Sequence, residues 1–267
     1  MTRHAGVVGL CKSITLDNIP ARSATLSYPY GLAVDKQDNL YVADSGHGSI
    51  RRIDKAGTIT TLLSSLSSPR SLAIDPRSQT LYVAEFGRNR VLAVDLSSPS
   101  NYTILAGQGT CAYSGDQGSA AVAGLCAPNG VAVAADGAVL IADTFNNAVR
   151  RVDPVSRIIT TVAGTGVPAI GSNFTAAATT PIAFPGDVDV DSEGNLYVTS
   201  SNRVLRITPG GQAAVIAGQL SNAEGYADGD PGTTGRLNFA TNIRVADNGN
   251  VYFTDSLNHR IRQLTPI

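Results

Sequence analysis

The side chains able to do chemistry are few and widely spaced. The chain carries three histidines, His4, His47 and His259, and three cysteines, Cys11, Cys111 and Cys126. A zinc site needs about three convergent protein ligands, and no such set is visible. His47 and His259 fall in turns, at places where a related stretch of the chain has Asn146 and Asn147, so they read as turn residues. No nucleophile elbow, phosphate loop or paired-cysteine motif is present. No catalytic residue, metal or cofactor is expected. The carboxylates say more. Asp187 and Asp189 lie one step apart on the same face of a strand-like run, and Asn242 and Arg244 do the same further on. A buried charge is costly unless paired, so Asp189 and Arg244 are expected to be partners, either as a structural ion pair or as the polar wall of a ligand site. Asp116, in Ser114-Gly115-Asp116-Gln117-Gly118, and Asp228 and Asp230, in Ala227-Asp228-Gly229-Asp230-Pro231-Gly232, sit in Gly/Asp turns. Turn chemistry explains them better than a calcium loop, whose full ligand spacing is missing. Asp116 also precedes Ser119-Ala120-Ala121-Val122-Ala123 and is read as the cap of a short helical turn. These seven polar residues are the candidate binding set.

Composition narrows the class. The chain has 267 residues, 43% hydrophobic and 15% charged, long enough to bury a sizeable core. No apolar run approaches the roughly 20 residues of a membrane helix. A net charge of −1 argues against a nucleic-acid binder. The first residues, Met1-Thr2-Arg3-His4-Ala5-Gly6-Val7-Val8-Gly9, have no apolar region of signal-peptide length. The chain is therefore expected to be cytosolic or a domain of a larger protein. Two sequons, Asn101-Tyr102-Thr103 and Asn173-Phe174-Thr175, favour an extracellular setting. There Cys111 and Cys126 could bridge within one loop; otherwise all three thiols are free, and Cys11 is left over either way.

The elements that must position these residues come from a repeat. One pattern returns five times, opening as Pro29-Tyr30-Gly31-Leu32-Ala33-Val34-Asp35, continuing through Asn39-Leu40-Tyr41-Val42-Ala43-Asp44 and ending at Ile50-Arg51-Arg52-Ile53-Asp54. Later copies begin at Pro69, Pro128, Pro185 and near Ala240. Short runs of Val, Ile, Leu, Tyr and Thr between turn residues predict antiparallel strands. In the first copy these are strand a from Gly31 to Asp35, b from Leu40 to Asp44, c from Ile50 to Asp54 and d from Thr58 to Leu63. Four strands per unit, repeated radially, make a β-propeller. Ala5-Gly6 matches the Ala-Gly that closes three d strands, and the last copy stops after strand c. Residues 1–8 are thus expected to complete the final blade and close the ring, which removes exposed edges. A single all-β domain over 1–267 follows.

These residues resemble the NHL-repeat family. The match is Pro-x-Gly-apolar-Ala-apolar-Asp, then Asn-apolar-Tyr-apolar-Ala-Asp, then a turn and an Ile/Val-Arg-Arg pair, and it covers essentially the whole chain. The resemblance implies a closed propeller used mainly as a binding scaffold. The family usually has six blades. Five are counted here, so either the ring has five blades or one lies outside this chain; the matching ends favour five. Some similar-looking propellers are enzymes, namely peptidylglycine amidating lyase and the gluconolactonases. The alternative function is therefore a metal-dependent hydrolase or lyase with a carboxylate site at the channel, using Asp187 and Asp189.

Two comparisons between copies locate the function. The b–c and d–a connections share one face of the ring, and four d–a segments are long: 6–28, 107–127, 164–184 and 218–239. Loops of this length are usually functional or flexible, so they are expected to raise a rim that binds a protein or glycan partner. Strand b ends in Asp44, Asp143 and Asp255 in the same copies where strand c has Arg51, Arg150 and Arg262, which reads as an ion pair across the hairpin. Most arginines are therefore structural, and no nucleic acid or membrane is expected as a partner of this monomeric domain.

Overall fold

The computed structural model describes residues 5–6, 16–168, 176–219, 221, 223–229 and 235–265. Strand β1 (Ile19–Pro20) precedes the first blade, β2 (Pro29–Val34), β3 (Leu40–Asp44), β4 (Ser49–Ile53) and β5 (Thr58–Leu63). The second blade is β6 (Pro69–Asp75), β7 (Thr80–Glu85), β8 (Arg90–Asp95) and β9 (Tyr102–Ala106). The third is β10 (Pro128–Val133), β11 (Val139–Asp143), β12 (Ala148–Val152) and β13 (Ile159–Gly164). The fourth is β14 (Pro185–Val190), β15 (Leu196–Ser200), β16 (Arg203–Ile207) and β17 (Ala213–Gly218). The fifth shows β18 (Ala240–Val245), β19 (Val251–Asp255) and β20 (Arg260–Leu264). Every sheet is an antiparallel meander, and β1 adds to the outer edge of the first through β5. The all-β, five-bladed propeller expected from the repeat is the fold observed. Among the described residues no helix is long and apolar enough to cross a membrane.

The repeat signature has a direct physical origin. Asp35 ends strand a and its carboxylate accepts bonds from the Gln37 and Asn39 amides, the Asn39 side chain and the Tyr41 hydroxyl. Burial alone would raise the Asp35 pKa, but these bonds hold it below the usual carboxylate range. Burial and Asp35 together push Tyr41 up to about 12. Asp191 repeats this with Asn195 and Tyr197 in the fourth blade. Each b–c connection of blades one, two, three and five is a short 3-10 turn closed by a left-handed residue, Gly48, Asn89, Asn147 or His259. Glycine, Asn and His tolerate positive φ better than branched residues do. His47 and His259 are therefore turn residues, as their spacing predicts.

The core lies between blades. Val131 of the third blade packs with Tyr82, Ala84 and Val91 of the second, and Val188 packs with Leu140 and Val149 across the next interface. The seam between the fifth and first blades differs. Leu72, Val131, Val188 and Ile243 are buried, but their counterpart Leu32 is 54% exposed. Ile50, Val91, Val149 and Val204 are buried, but their counterpart Ile261 is 77% exposed. The strand expected from residues 1–8 to close this blade lies outside the described residues, apart from Ala5 and Gly6. The Gly6 amide donates to the Ala21 carbonyl as that of Gly107 does to Ala120.

Candidate binding face

The acid ending each b strand is a buried hub. Asp44, Glu85, Asp143 and Asp255 accept the backbone amide of the residue two before strand a of their own blade: Ser27 at 2.6 Å, Ser67 at 2.8 Å, Cys126 at 2.7 Å and Asn238 at 2.7 Å. Each also holds a side chain of its b–c turn, respectively His47, Arg88, Asn146 or Asn258. The expected arginine pairs form: Arg51 lies 3.9 Å from Asp44, Arg150 3.2 Å from Asp143 and Arg262 3.0 Å from Asp255. Burial pushes Asp143 up to about 6, against the bonds from Cys126 and Asn146 and the Arg150 charge.

The same arginines reach further. Arg51 donates to the Leu16 carbonyl and Asp17, Arg150 to the Ser114 carbonyl and Asp116, and Arg262 to the Ala227 carbonyl and Asp228. Each arginine thus pins the long d–a loop that precedes its blade. The second blade follows the short 64–68 connection and has Leu92 at this place, with no long loop to hold. Two expectations change. Asp116 does not cap the 3-10 turn Ala120–Val122, whose N-cap is Ser119; it is 2.7 Å from Arg150 because a buried guanidinium needs an anion more than a short turn needs a cap. Asp228 is likewise occupied by Arg262 at 2.6 Å, while Asp230 lies outside the described residues.

Only part of the 6–28, 107–127 and 164–184 loops stands on the rim. A later part of each runs down the outer edge of the blade it precedes, where the Asn18 amide bonds Ile59, Gln117 bonds Ile159 and Ala177 bonds Gly211. Ala21, Ala120 and Ala177 are buried there. The Cys111–Cys126 disulfide is formed, with the Cα atoms 4.2 Å apart, and the Asn146 side chain bonds the Ala112 carbonyl at 2.6 Å. The 107–127 loop is thereby tied to the turn beside it.

The channel wall brings Asp187, Asp189, Asn242 and Arg244 onto the adjacent strands β14 and β18. Innermost strands leave backbone amides on their free edge, which need acceptors. Asp187 accepts the Ile243 amide at 3.2 Å and Asp189 the Val245 amide at 2.8 Å, as Ser71 accepts Val131 at 3.2 Å. The carboxylates therefore stitch one blade to the next. The expected ion pair moves by one step: the Arg244 guanidinium lies 3.5 Å from Asp187 and bonds the Ile243 carbonyl, while Asp189 is committed to backbone amides. Asp187 is 2% exposed and burial pushes it up to about 6, with Arg244 opposing. Gly130 is required opposite, because a Cβ there would collide with the Asp187 carboxylate. Asn242 is exposed in the channel, its amide bonded to Thr254.

A family model for the teneurin NHL domain matches residues 12–73 and 67–264. The chain belongs to the teneurin NHL domain family. Human Teneurin-1 is 25% identical over 279 residues, covering 94% of this chain and 10% of that protein. Mouse Teneurin-3 is 30% identical over 274 residues, covering 89% and 10%. This teneurin-type NHL propeller therefore spans about a tenth of the length of these curated relatives. Among solved structures, an auxiliary nutrient binding protein from Bacteroides ovatus superposes with a TM-score of 0.72 at 16% identity, covering 90% of this chain and 60% of that one. The Nidogen/Laminin complex gives 0.67 at 16%, covering 91% and 77%. Streptogramin B lyase gives 0.60 at 14%, covering 93% and 71%. At such identities the likeness is one of fold, and function has to be argued from the site. Membership of the NHL family supports a binding scaffold at family level.

Proposed function

We propose that this NHL propeller is a non-enzymatic binding module whose protein or glycan partner sits on the face formed by the d–a loops and b–c turns. The observation that carries this reading is the anchoring of the loops before any partner arrives. Asp17, Asp116 and Asp228 are each held by an arginine of the blade beneath, and a disulfide closes one loop. A preorganised loop loses less conformational freedom on binding.

Photo-crosslinking side chains placed singly at Leu257 and Tyr226, exposed on the loop face, and at Val155, exposed in a c–d turn, test the reading. Partner adducts are expected from Leu257 and Tyr226 and not from Val155. Adducts from Val155 alone would move the binding site to the other face.

A further inference from the structure

Five side chains form an unbroken strip beside the channel entrance on the loop face. The rings of Phe86 and Phe145 meet edge to face with centres 6.0 Å apart, and those of Phe145 and Phe184 at 6.3 Å. The Arg70 guanidinium lies 3.6 Å from the centre of the Phe86 ring and 5.0 Å from that of Tyr30. The strip runs from β2 and β6 through the b–c turns of blades two and three to the entry of β14. Tyr30, Phe145 and Phe184 are 51, 55 and 46% exposed.

The scaffold does not need these residues, and the repeat itself is the control. At the place of Phe145, two residues past the b-strand acid, stand Gly46, Gly87 and Leu257. At the place of Phe184, just before strand a, stand Tyr28, Ser68, Ala127 and Phe239. At the place of Arg70 stand Tyr30, Asn129, Gly186 and Thr241. All five residues at this place have positive φ, Tyr28 46°, Ser68 47°, Ala127 51°, Phe184 47° and Phe239 60°. Ser68 and Ala127 show that the fold does not require a ring there.

Arg70 adds charge to this apolar surface. Unlike Arg51, Arg150 and Arg262, it has no carboxylate within 4 Å among the described residues. It donates to Asn129 at 2.9 Å, and its Nε is buried without an acceptor. A partly desolvated cation ringed by aromatic groups is short of an anion.

We propose that this strip docks a protein partner, which inserts a loop carrying an Asp or Glu carboxylate onto Arg70 with an apolar side chain beside it on Phe145. The proposal rests on the loop-face reading above and names the chemistry of its partner. Aromatic and arginine side chains dominate the energetics of protein interfaces, and a carboxylate on a guanidinium forms the stronger, charge-assisted bond. A neutral sugar fits less well. The Asn129 amide is already used, accepting from Arg70 and donating to the Gly186 carbonyl at 2.6 Å, so the strip has few polar groups for hydroxyls.

The test is selection of phage-displayed random linear peptides on the intact chain. Selected peptides are expected to combine Asp or Glu with Leu, Phe or Trp. Their affinity is expected to fall about tenfold or more in Arg70→Gln and in Phe145→Gly, the loss of one hot-spot contact. Phe145→Gly copies blades one and two, so its melting temperature should stay near that of the parent, and Val155→Thr, on the opposite face, should leave binding unchanged. Selected peptides without an acid, unchanged binding in Arg70→Gln, or no selected peptide at all would overturn the proposal. Arg70-dependent binding of sialylated glycans, with no peptide selected, would also overturn it while leaving the loop-face reading standing. Adducts from Val155 alone would instead remove the loop-face reading itself.

Discussion

Arg150 on β12 and Asp116 in the preceding loop lie 2.7 Å apart, so a fully buried guanidinium adds an anchor to a loop already closed by a disulfide. The other end of the same group faces Asp143, also buried. Removing one partner of such a set leaves an uncompensated buried charge, which costs about 3–5 kcal/mol. Arg150→Leu, which copies Leu92, is expected to lose stability of this size in urea unfolding and to expose residues 107–127 to limited proteolysis. Adding Asp143→Ser, which copies Ser200 of blade four, should recover part of the stability but not the protease resistance. Equal protease resistance in wild type and Arg150→Leu would show that the arginine does not anchor the loop.

Asp187 makes stability depend on pH in a defined direction. Its folded pKa is raised to about 6 from the ordinary 3.8, so the folded state binds the proton more tightly than the unfolded chain. Stability is then fully present below about pH 4 and falls as pH rises to about 6, by at most about 3 kcal/mol. Asp187→Asn keeps an acceptor for the Ile243 amide and removes the charge. It is expected to melt higher than wild type at pH 7.5 and to flatten the pH 4–6 dependence. Arg244→Ala should shift the Asp187 titration upward in carboxyl NMR, since the guanidinium at 3.5 Å favours the ionised form.

Reduction of the Cys111–Cys126 bond reopens a loop of 15-residue separation. Loop-closure entropy for that length is worth about 3 kcal/mol. Thermal unfolding with and without reductant should differ accordingly, and the difference should vanish in a Cys111→Ala/Cys126→Ala variant.

The exposed apolar side chains of the seam predict self-association. Leu32→Thr with Val34→Thr removes two of them while keeping β-branched residues in β2. Light scattering at rising protein concentration should report less association than for wild type, with little change in melting temperature.

The five variants of one strand pattern, from Asn39-Leu40-Tyr41-Val42-Ala43-Asp44 to Asn250-Val251-Tyr252-Phe253-Thr254-Asp255, made the blades legible in the sequence. Blades one and four carry their own turn chemistry, Asp35 with Asn39 and Tyr41 and Asp191 with Asn195 and Tyr197, and local signals survive without tertiary context. The Arg51, Arg150 and Arg262 pairs were legible for the same reason, because the acid and the arginine lie diagonally across one hairpin. Asp17, Asp116 and Asp228 were not. Their partners lie more than thirty residues away, and a Gly/Asp turn looks the same whether its carboxylate is free or buried against a guanidinium. The shift from Asp189 to Asp187 as the neighbour of Arg244 has a similar cause: backbone amides on the free edge of β18 compete for the carboxylates, and that edge exists only once the blades are assembled. The strip of Tyr30, Arg70, Phe86, Phe145 and Phe184 was hidden too, though comparing copies position by position would have exposed Phe145 against Gly46 and Gly87. The sequence by itself determined the repeat, the strands and the hairpin ion pairs, which depend on contacts within one blade. The tertiary structure decided which loop each arginine holds, which carboxylate meets Arg244 and which aromatic rings meet, because those contacts join residues far apart in the chain that only the packing of loops on blades, and of blades on one another, brings together.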